Sequence, residues 1–454
     1  MRIMRIVAAA GLGLAVALAG CSNFLDAPKA VADPNNPTAA SINQLLVGIE
    51  ANIFGQQEGP VAMLVCEWMQ QCAGVNGRFV DQQGVYSVTN GSFDGSFQSI
   101  YTAGGLGQIK QVEALADKEG DKMYKGVTEV LEAMNMMFAT DIWGDVPYSD
   151  AAGSSSTPKF DAQMTIYDNL LKLLDQAISD MNAGGTGPGD FDLVYNGDKT
   201  KWIEAAHTLK ARIYLHRVEK LGNGEYAKAL AEANLGISAP ANDWKTVHSS
   251  ATSERNMWAQ FQTTSFGNDL VAGSVLVDIM NAQGDSRLAE YFAKNPNGAY
   301  GGYNVTTQAT DVKDISPIIG SGRTDNESFS QPIITYDENQ LIKAEATFAT
   351  AGSAAAAPFL NTVRARYGKT AIANPTLADI MTEKYIILYQ NLESWNDYKR
   401  TCLPIMHPAR GKTVIPGRLY YGQTEEQTNP NTPASSAQNL ATVRNANDPN
   451  ACPP

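Results

Sequence analysis

The sequence predicts a mainly α-helical protein made of irregular helix pairs, with loop-rich stretches between them and few short strands. Apolar residues recur at intervals of three and four in several long segments, as expected for helices that bury one face. Residues 74–107 and 251–330 are instead rich in Gly, Ser, Asn, Thr and aromatic residues. Such a composition is typical of irregular surface loops, which helices position and which usually carry binding.

The first twenty residues predict a secretory signal. Two arginines in the first five residues precede an apolar run at 6–19. This run would rise only about 21 Å as a helix, short of the roughly 30 Å hydrocarbon core, so we expect it to be removed and not to span a membrane. The string Leu-Ala-Gly-Cys at 18–21 resembles the bacterial lipobox, whose cysteine receives a diacylglycerol and usually an amide-linked acyl chain such as palmitate. Residues 1–20 are therefore predicted to be the signal peptide, and Cys21 the lipidated first residue of the mature chain.

The charge balance argues against nucleic acid as a partner. Removing residues 1–20 removes two of the 34 basic residues and none of the 47 acidic ones, so the mature chain carries a net charge of −15. It has no run of five or more Lys and Arg residues. No stretch of eighteen apolar residues follows the signal, so we expect a soluble body with a large core, in one domain or two packed ones.

Four cysteines remain beyond the lipobox, and three pairings are possible. Residues 61–73 are predicted to be helical, and an unbroken helix separates the Cα atoms of Cys66 and Cys72 by about 9 Å, beyond the ~7 Å limit for a disulfide. That pairing is therefore disfavoured. A disulfide between Cys402 and Cys452 would tie down a polar tail in an oxidising compartment, and unpaired buried thiols are the alternative.

The helical elements follow in order. Residues 33–38 are rich in Pro and Asn and are expected to end a tether that spans 21–40. Ser41 is predicted to be the N-cap of a helix that runs through Ile53. Core-facing apolar stripes then predict helices at residues 126–142, 166–181, 202–217 and 381–398.

Residues 226–233 resemble the second helix of a tetratricopeptide unit, where small residues let paired helices approach closely. The chain shows no clean 34-residue repeat, so an irregular stack of helix pairs is favoured over a regular solenoid. The polar tail, residues 422–454, is expected to be extended or poorly ordered.

The string ATDIWGDVPY at residues 139–148 predicts a structural corner. We expect a helix to end near Trp143, Gly144 to adopt a left-handed conformation, Asp145 to bond nearby amides and Pro147 to stop continuation. This string resembles the helix-end motif of the SusD/RagB family of nutrient-binding outer-membrane lipoproteins.

Other segments match that family in the same order along the chain: 21–26, 192–212, 335–345, 383–400 and 418–421. The sequence departs from the family at Asn391-Leu392, where a glycine is common, and at Lys399, which replaces a frequent arginine. The resemblance implies a SusD-like helical domain at 41–421, with tetratricopeptide-like units on one side and a looser ligand-facing region on the other.

The resemblance also implies function. Members sit at the outer membrane facing the cell exterior, bind an oligosaccharide or peptide, and pass it to a TonB-dependent (SusC-like) transporter. They catalyse no reaction and use no cofactor.

An enzyme would need a nucleophile, a base or a metal set, and the sequence offers little. The histidines form no His-Glu-x-x-His string, and two Gly-Lys-Thr tripeptides lack the first glycine of a phosphate-binding loop, with Val363 and Met406 in its place. Asp141 and Asp145 are the carboxylate pair to consider for glycoside hydrolysis, but Gly144 separates them and capping is favoured. Acids around residues 190–198 match no EF-hand loop, so no metal is predicted. A tetratricopeptide-like scaffold is a third alternative.

Glycan binding calls for aromatic rings that stack on a sugar, beside polar groups that bond its hydroxyls. No motif fixes individual contacts, and each aromatic has a place in the core as its alternative. Trp143, Trp202 and Trp395 lie on motif helices and are assigned to the core. The candidate ligand contacts are Trp68, Asn76, Arg78, Phe79, Tyr86, Trp258, Tyr300, Tyr303 and Asn304.

Overall fold

A computed structural model describes residues 40–153, 155–323 and 326–453. The predicted signal peptide, Cys21 and the tether lie outside the described residues. The chain divides into two units, residues 1–44 and 45–454. In the described part of the first unit, Ser41 Oγ accepts a hydrogen bond from the Gln44 amide, as predicted for an N-cap.

The fold is mainly helical, which confirms the predicted class. The described residues form seventeen α-helices: α1 Ile42–Glu58, α2 Pro60–Trp68, α3 Asp94–Gln98, α4 Leu106–Glu119, α5 Lys122–Trp143, α6 Gln163–Ala183, α7 Lys199–His216, α8 Val218–Leu221, α9 Gly224–Ala233, α10 Met257–Gln262, α11 Ser274–Gln283, α12 Leu288–Tyr291, α13 Tyr336–Ala351, α14 Ser353–Arg366, α15 Leu377–Ile387, α16 Glu393–Thr401 and α17 Gln423–Thr428. None of these helices is long and apolar enough to cross a membrane.

The described residues also form six short strands: β1 Cys72–Gly74, β2 Val146–Pro147, β3 Phe160–Asp161, β4 Trp244–Lys245, β5 Leu270–Ala272 and β6 Pro332–Ile334. They form three antiparallel two-stranded sheets, β1 with β5, β2 with β3 and β4 with β6. The β1–β5 and β4–β6 sheets join segments that are distant in sequence, whereas β2 and β3 follow the corner at the end of α5.

The predicted stripes at 126–142, 166–181 and 202–217 are the buried faces of α5, α6 and α7. The predicted corner after α5 is also confirmed. Gly144 has a φ of +82°, and Asp145 Oδ1 accepts a hydrogen bond from the amide of Gln163 at the start of α6. Trp143, Trp202 and Trp395 are fully buried, as assigned.

Paired helices meet through small residues. Alanines of α7, α9 and α13 pack together in one core cluster, with Leu215 and Ile342 beside them. A second cluster joins α13, α14 and α15 around Leu360 and Ile380. The small residues of the tetratricopeptide-like pattern at 226–233 thus lie at a buried contact between helices, where alanine adds little bulk.

The prediction of one helix through 61–73 was wrong. Helix α2 ends at Trp68, and Gln70 takes a left-handed φ of +52° before β1 begins. This turn brings the Cα atoms of Cys66 and Cys72 within 5.1 Å, and the two residues form a disulfide. The distance predicted for an unbroken helix therefore did not apply.

The predicted run 381–398 is also broken. Helix α15 ends at Ile387, Gln390 has a φ of +61°, and α16 begins at Glu393. The Asn391 side chain donates hydrogen bonds to the Pro332 and Ile333 carbonyls of β6. These hydrogen bonds tie the break between α15 and α16 to β6.

The tail beyond Tyr421 is irregular, but it is not poorly ordered. Cys402 and Cys452 form the second disulfide, with their Cα atoms 5.3 Å apart. Leu440 and Asn447 are buried, and Asn447 Nδ2 donates to the His216 carbonyl at the end of α7. The tail is therefore part of the packed structure.

Candidate ligand-binding site

The two loop-rich stretches lie against each other. Strand β1, before the first stretch, pairs with β5 in the second, and the Val75 amide donates to the Asp269 carbonyl at 2.9 Å. Asn76 Nδ2 also donates to Asp269 Oδ1 at 3.1 Å. Tyr303 extends this contact through a bridge to Gly273. Residues that are about two hundred positions apart in sequence thus form one region.

A third segment, residues 403–416, joins the same region. The Ala409 amide donates to the Tyr86 hydroxyl at 3.0 Å, and the Arg410 amide donates to the Val305 carbonyl at 3.1 Å. The segment therefore links Tyr86 to the neighbourhood of Asn304. The only pattern in this part of the sequence is a chance Gly-Lys-Thr tripeptide, so composition and motifs do not predict its place beside Tyr86.

Three predicted contact residues are core residues. Trp68, Phe79 and Trp258 are each 1% exposed or less. Trp68 Nε1 donates to the Gln83 carbonyl, and its ring packs edge-on against Trp395 with 5.3 Å between centroids. The prediction that these rings contact a ligand is corrected, because their faces are covered and they support the loops from below.

The other predicted residues are accessible. Asn76 and Arg78 are exposed, and the remaining four are half-buried: Tyr86, Tyr300, Tyr303 and Asn304. Asn304 Oδ1 accepts the amides of Thr306 and Thr307. This bonding fixes a turn and leaves the Nδ2 donor without a partner among the described residues. These six residues remain predicted contacts.

Tyr86 lines a pocket of about 210 Å³, which we call the Tyr86 pocket. Its other lining residues come from far along the chain: Gly411, Lys412, Thr413, Val414, Pro416, Tyr420, Asn439, Leu440 and Ala441. Val414 and Leu440 are buried beneath exposed Lys412 and Asn439. Within the described chain, Lys412 Nζ and the Tyr420 hydroxyl have no hydrogen-bond partner, so both are available to a ligand.

The Tyr86 side chain is held rigidly. Its backbone is in the left-handed region, with φ at +59°, and its ring packs edge-on against Trp68 at 5.6 Å. Burial raises the pKa of the Tyr86 hydroxyl, to which the Ala409 amide donates. The hydroxyl therefore stays protonated at physiological pH, and Tyr86 presents a neutral phenol ring to the pocket.

A buried carboxyl lies close to the exposed Arg78. Glu67 is 3% exposed, and neither of its carboxylate oxygens has a hydrogen-bond partner among the described residues. Burial raises the pKa of Glu67 well above its ordinary value, and the charge of Arg78 offsets this only in part. The Arg78 guanidinium has no hydrogen-bond partner among the described residues, so its donors are available to a ligand.

The one group of described residues with metal-ligand geometry is Asp141, His216 and Glu393, all buried. Burial lowers the pKa of His216, but the two carboxylates outweigh burial and raise it to about 10. The imidazolium therefore supplies the cation itself, and a metal would have to displace its protons. The cluster therefore fits a structural role, in which the imidazolium links the two carboxylates.

The carboxylates considered for other chemistry are also engaged. Asp141 binds Tyr167 and Asn396, and Asp145 caps α6. Asp192, in the stretch considered for calcium, accepts the amides of Val194 and Gly197 and the Trp202 indole. These contacts position the chain and leave no open carboxylate pair at either place.

A family sequence profile, SusD-like and described as starch-binding and associating with the outer membrane, matches residues 34–357. No curated protein sequence matches the chain significantly.

Several solved structures share the fold. A chitin-binding protein has a TM-score of 0.76 at 20% identity, covering 90% of this chain and 100% of its own. A SusD-like protein from Bacteroides thetaiotaomicron has a TM-score of 0.72 at 18% identity, covering 90% and 97%. A chitin-binding SusD homologue from Flavobacterium johnsoniae has a TM-score of 0.71 at 19% identity, covering 89% and 98%.

Proposed function

Because this chain belongs to the SusD-like family of starch-binding proteins that associate with the outer membrane, we propose that it captures an oligosaccharide and delivers it to a TonB-dependent transporter. The Tyr86 pocket, with the neighbouring loops, is the proposed binding site. The proposed further contacts are Asn76, Arg78, Tyr300, Tyr303 and Asn304.

One observation carries the proposal. The Tyr86 pocket combines two tyrosines with an amide, a hydroxyl and an ammonium group, which suits the apolar face and the hydroxyls of a sugar. Its volume is below the roughly 300–1,000 Å³ of most small-molecule cavities. We therefore expect it to hold one unit of a longer glycan. Two of the structural relatives are named as chitin-binding, which favours a glycan over a peptide.

Calorimetric titration with starch and chitin oligosaccharides and with peptides tests this proposal. We expect saturable glycan binding that Tyr86→Ala weakens at least about tenfold, the equivalent of roughly 1.4 kcal/mol. Tyr86→Phe keeps the ring and is the matched control. A thermal unfolding curve for each variant separates lost contacts from lost folding. Unchanged glycan affinity in a folded Tyr86→Ala variant would reject this pocket as the site.

The family comprises carbohydrate-binding proteins and not enzymes, in agreement with the prediction that the chain catalyses no reaction. Analysis of the titration mixtures for cleavage products tests the glycoside hydrolase alternative directly. Product formation that survives in an Asp141→Asn variant would also exclude the carboxylate pair first considered.

The lipid anchor and the transporter are part of the proposal. Supporting them are the lipobox-like string at 18–21 and the family's association with the outer membrane. We expect radiolabelled palmitate to be incorporated into the native protein and not into a Cys21→Ser variant. We also expect a TonB-dependent barrel to co-purify with the anchored protein. Failure of the barrel to co-purify would favour the tetratricopeptide-like scaffold alternative.

A further inference from the structure

Two larger cavities flank the C-terminal half of α1. The first has a volume of about 430 Å³ and lies between α1 and the loop that precedes α3. The second has a volume of about 540 Å³ and lies between α1 and residues 247–260. Both volumes are within the range of ligand cavities, and neither cavity shares a lining residue with the Tyr86 pocket.

The first cavity has an apolar floor and a polar rim. Its floor includes Phe93 and Phe138, whereas Ser92 and Ser96 lie at the rim. Gln56 lines the cavity and is 5% exposed. Its Nε2 donates to Asn135 at 2.8 Å, and its buried Oε1 has no partner among the described residues. An unmatched buried acceptor beside a cavity favours a ligand that brings a donor, such as a hydroxyl.

The second cavity has the same two-sided character. Phe54 and Met257 form part of its apolar surface, and Arg255 and Gln260 contribute polar groups. Its far wall is fixed to α1 by Glu58, whose Oε1 lies 2.7 Å from His248 Nε2 and whose Oε2 accepts the Met257 amide at 3.0 Å. The fully buried Glu58 carboxylate therefore holds this wall in place against α1.

Gly55 lines both cavities. A Cβ atom placed on it would meet no other atom within 4 Å, so this side of the helix is bare and open. Gly55 lies in the interior of α1, where glycine disfavours the helix relative to alanine. Helix propensity does not favour a glycine here, and the space that it leaves lies at the one residue that lines both cavities.

We propose that the two cavities and Gly55 form a second glycan site, the α1 groove, in which an oligosaccharide crosses the helix at Gly55 with sugar units in each cavity. This proposal rests on the proposed function, because it takes the ligand to be a glycan. On each side of Gly55, a cavity offers both apolar surface and groups that can bond hydroxyls. This arrangement suits an extended glycan, which carries apolar faces and many hydroxyls. A ligand that fills only one cavity would have no need of the glycine.

The test is the Gly55→Trp variant of the full chain, which places a large side chain in the proposed path and whose first side-chain atom enters open space. Gly55→Ala is the matched control, since it favours the helix and adds one methyl group. Chitin and starch oligosaccharides from dimer to octamer are titrated calorimetrically against both variants, each also in a Tyr86→Ala background. A thermal unfolding curve checks that every variant is folded.

We expect Gly55→Trp to weaken binding of the longer oligosaccharides about tenfold or more, in both backgrounds, while dimers bind unchanged and Gly55→Ala behaves like the wild type. If Gly55→Trp binds every oligosaccharide as the wild type does, the α1 groove is rejected and the Tyr86 pocket stands. If Tyr86→Ala leaves binding intact but Gly55→Trp abolishes it, the α1 groove is supported and the Tyr86 pocket is rejected. A wild-type protein that binds no glycan overturns both.

Discussion

His216 Nε2 lies 2.8 Å from Glu393 Oε1, and both side chains are buried. On the other side of the ring, Nδ1 lies 3.2 Å from Asp141 Oδ1. The contact joins the end of α7 to the start of α16 and to the motif segment at the end of α5. One imidazolium thus connects three segments that are far apart in sequence.

Replacing His216 with glutamine is expected to destabilise the fold by about 3–5 kcal/mol, because it removes the imidazolium that lies between two buried carboxylates. Urea unfolding gives the free energy of unfolding. His207→Gln is the matched control, since His207 pairs with Glu232 near the surface and its loss is expected to cost less than about 1 kcal/mol. Equal losses in the two variants would contradict the structural role of the cluster.

The pair of His216 and Glu393 also predicts how the stability of the fold depends on pH. The pKa of His216 is raised from 6.5 to about 10, so its contribution is fully present below about pH 6.5 and is lost as pH rises through about 10. Burial alone would raise the pKa of Glu393, but His216 and Arg212 lower it. Its contribution is therefore present above about pH 4.5 and is lost as pH falls below that value. We expect the urea midpoint to fall between pH 7 and 10 in the wild type and to change less in His216→Gln.

The disulfide between Cys402 and Cys452 is expected to contribute more stability than the one between Cys66 and Cys72. In the chain-entropy treatment, the 50-residue separation of the first pair gives about 4 kcal/mol and the six-residue separation of the second gives about 2 kcal/mol. Double serine variants of each pair, compared by urea unfolding, test this order. Limited proteolysis is expected to cleave the tail first when the longer bridge is absent. The reverse order of stability would contradict the loop argument.

The sequence was informative where structure depends on local spacing. The stripes of α5, α6 and α7 repeat at helical intervals, so neighbouring residues predicted each buried face. The breaks at Gln70 and Gln390 were missed, because a left-handed glutamine carries no residue signal of the kind that glycine gives. Both breaks depend on tertiary contacts that hold the strained turn.

The candidate site was harder to predict for a related reason. Tyr86 was identified from composition, but Lys412, Tyr420 and Asn439 meet it only through the fold of the C-terminal segment. Composition also selected Trp68 and Trp258, whose rings are covered by tertiary packing. Sequence composition alone cannot distinguish an aromatic residue that is exposed on a loop from one that is buried under the loop.

Glu67→Gln is expected to leave the protein as stable as the wild type, or more stable, at pH 7. Burial raises the pKa of Glu67, so the folded state favours the neutral acid, and this contribution is present below about pH 4.5 and lost as pH rises. Glutamine mimics the neutral form at every pH. Thermal unfolding from pH 4 to 8 should therefore show a flatter profile for the variant.

Glu58→Gln is the matched control for Glu67→Gln, since both residues are buried glutamates near the ends of α1 and α2. Glu58 accepts from His248 and from the Met257 amide, so its loss is expected to cost about 1–3 kcal/mol. If Glu67→Gln were the more destabilising of the two substitutions, the inference that the folded state favours neutral Glu67 would be contradicted.

Gly144→Ala is expected to destabilise the fold by about 3 kcal/mol or more, for two separable reasons. The glycine has φ +82° and ψ −120°, a conformation that strains any residue with a side chain. Its added Cβ would also lie 2.5 Å from Asn445 Oδ1 in the tail. Gly120→Ala is the control, because Gly120 has a φ of +70° with open space around it and the substitution should cost only about 1 kcal/mol.

In an Asn445→Ala background, Gly144→Ala should lose the clash but keep the backbone strain, so a double-mutant cycle from urea unfolding should give a coupling energy. Strict additivity would show that the tail does not pack against the corner after α5.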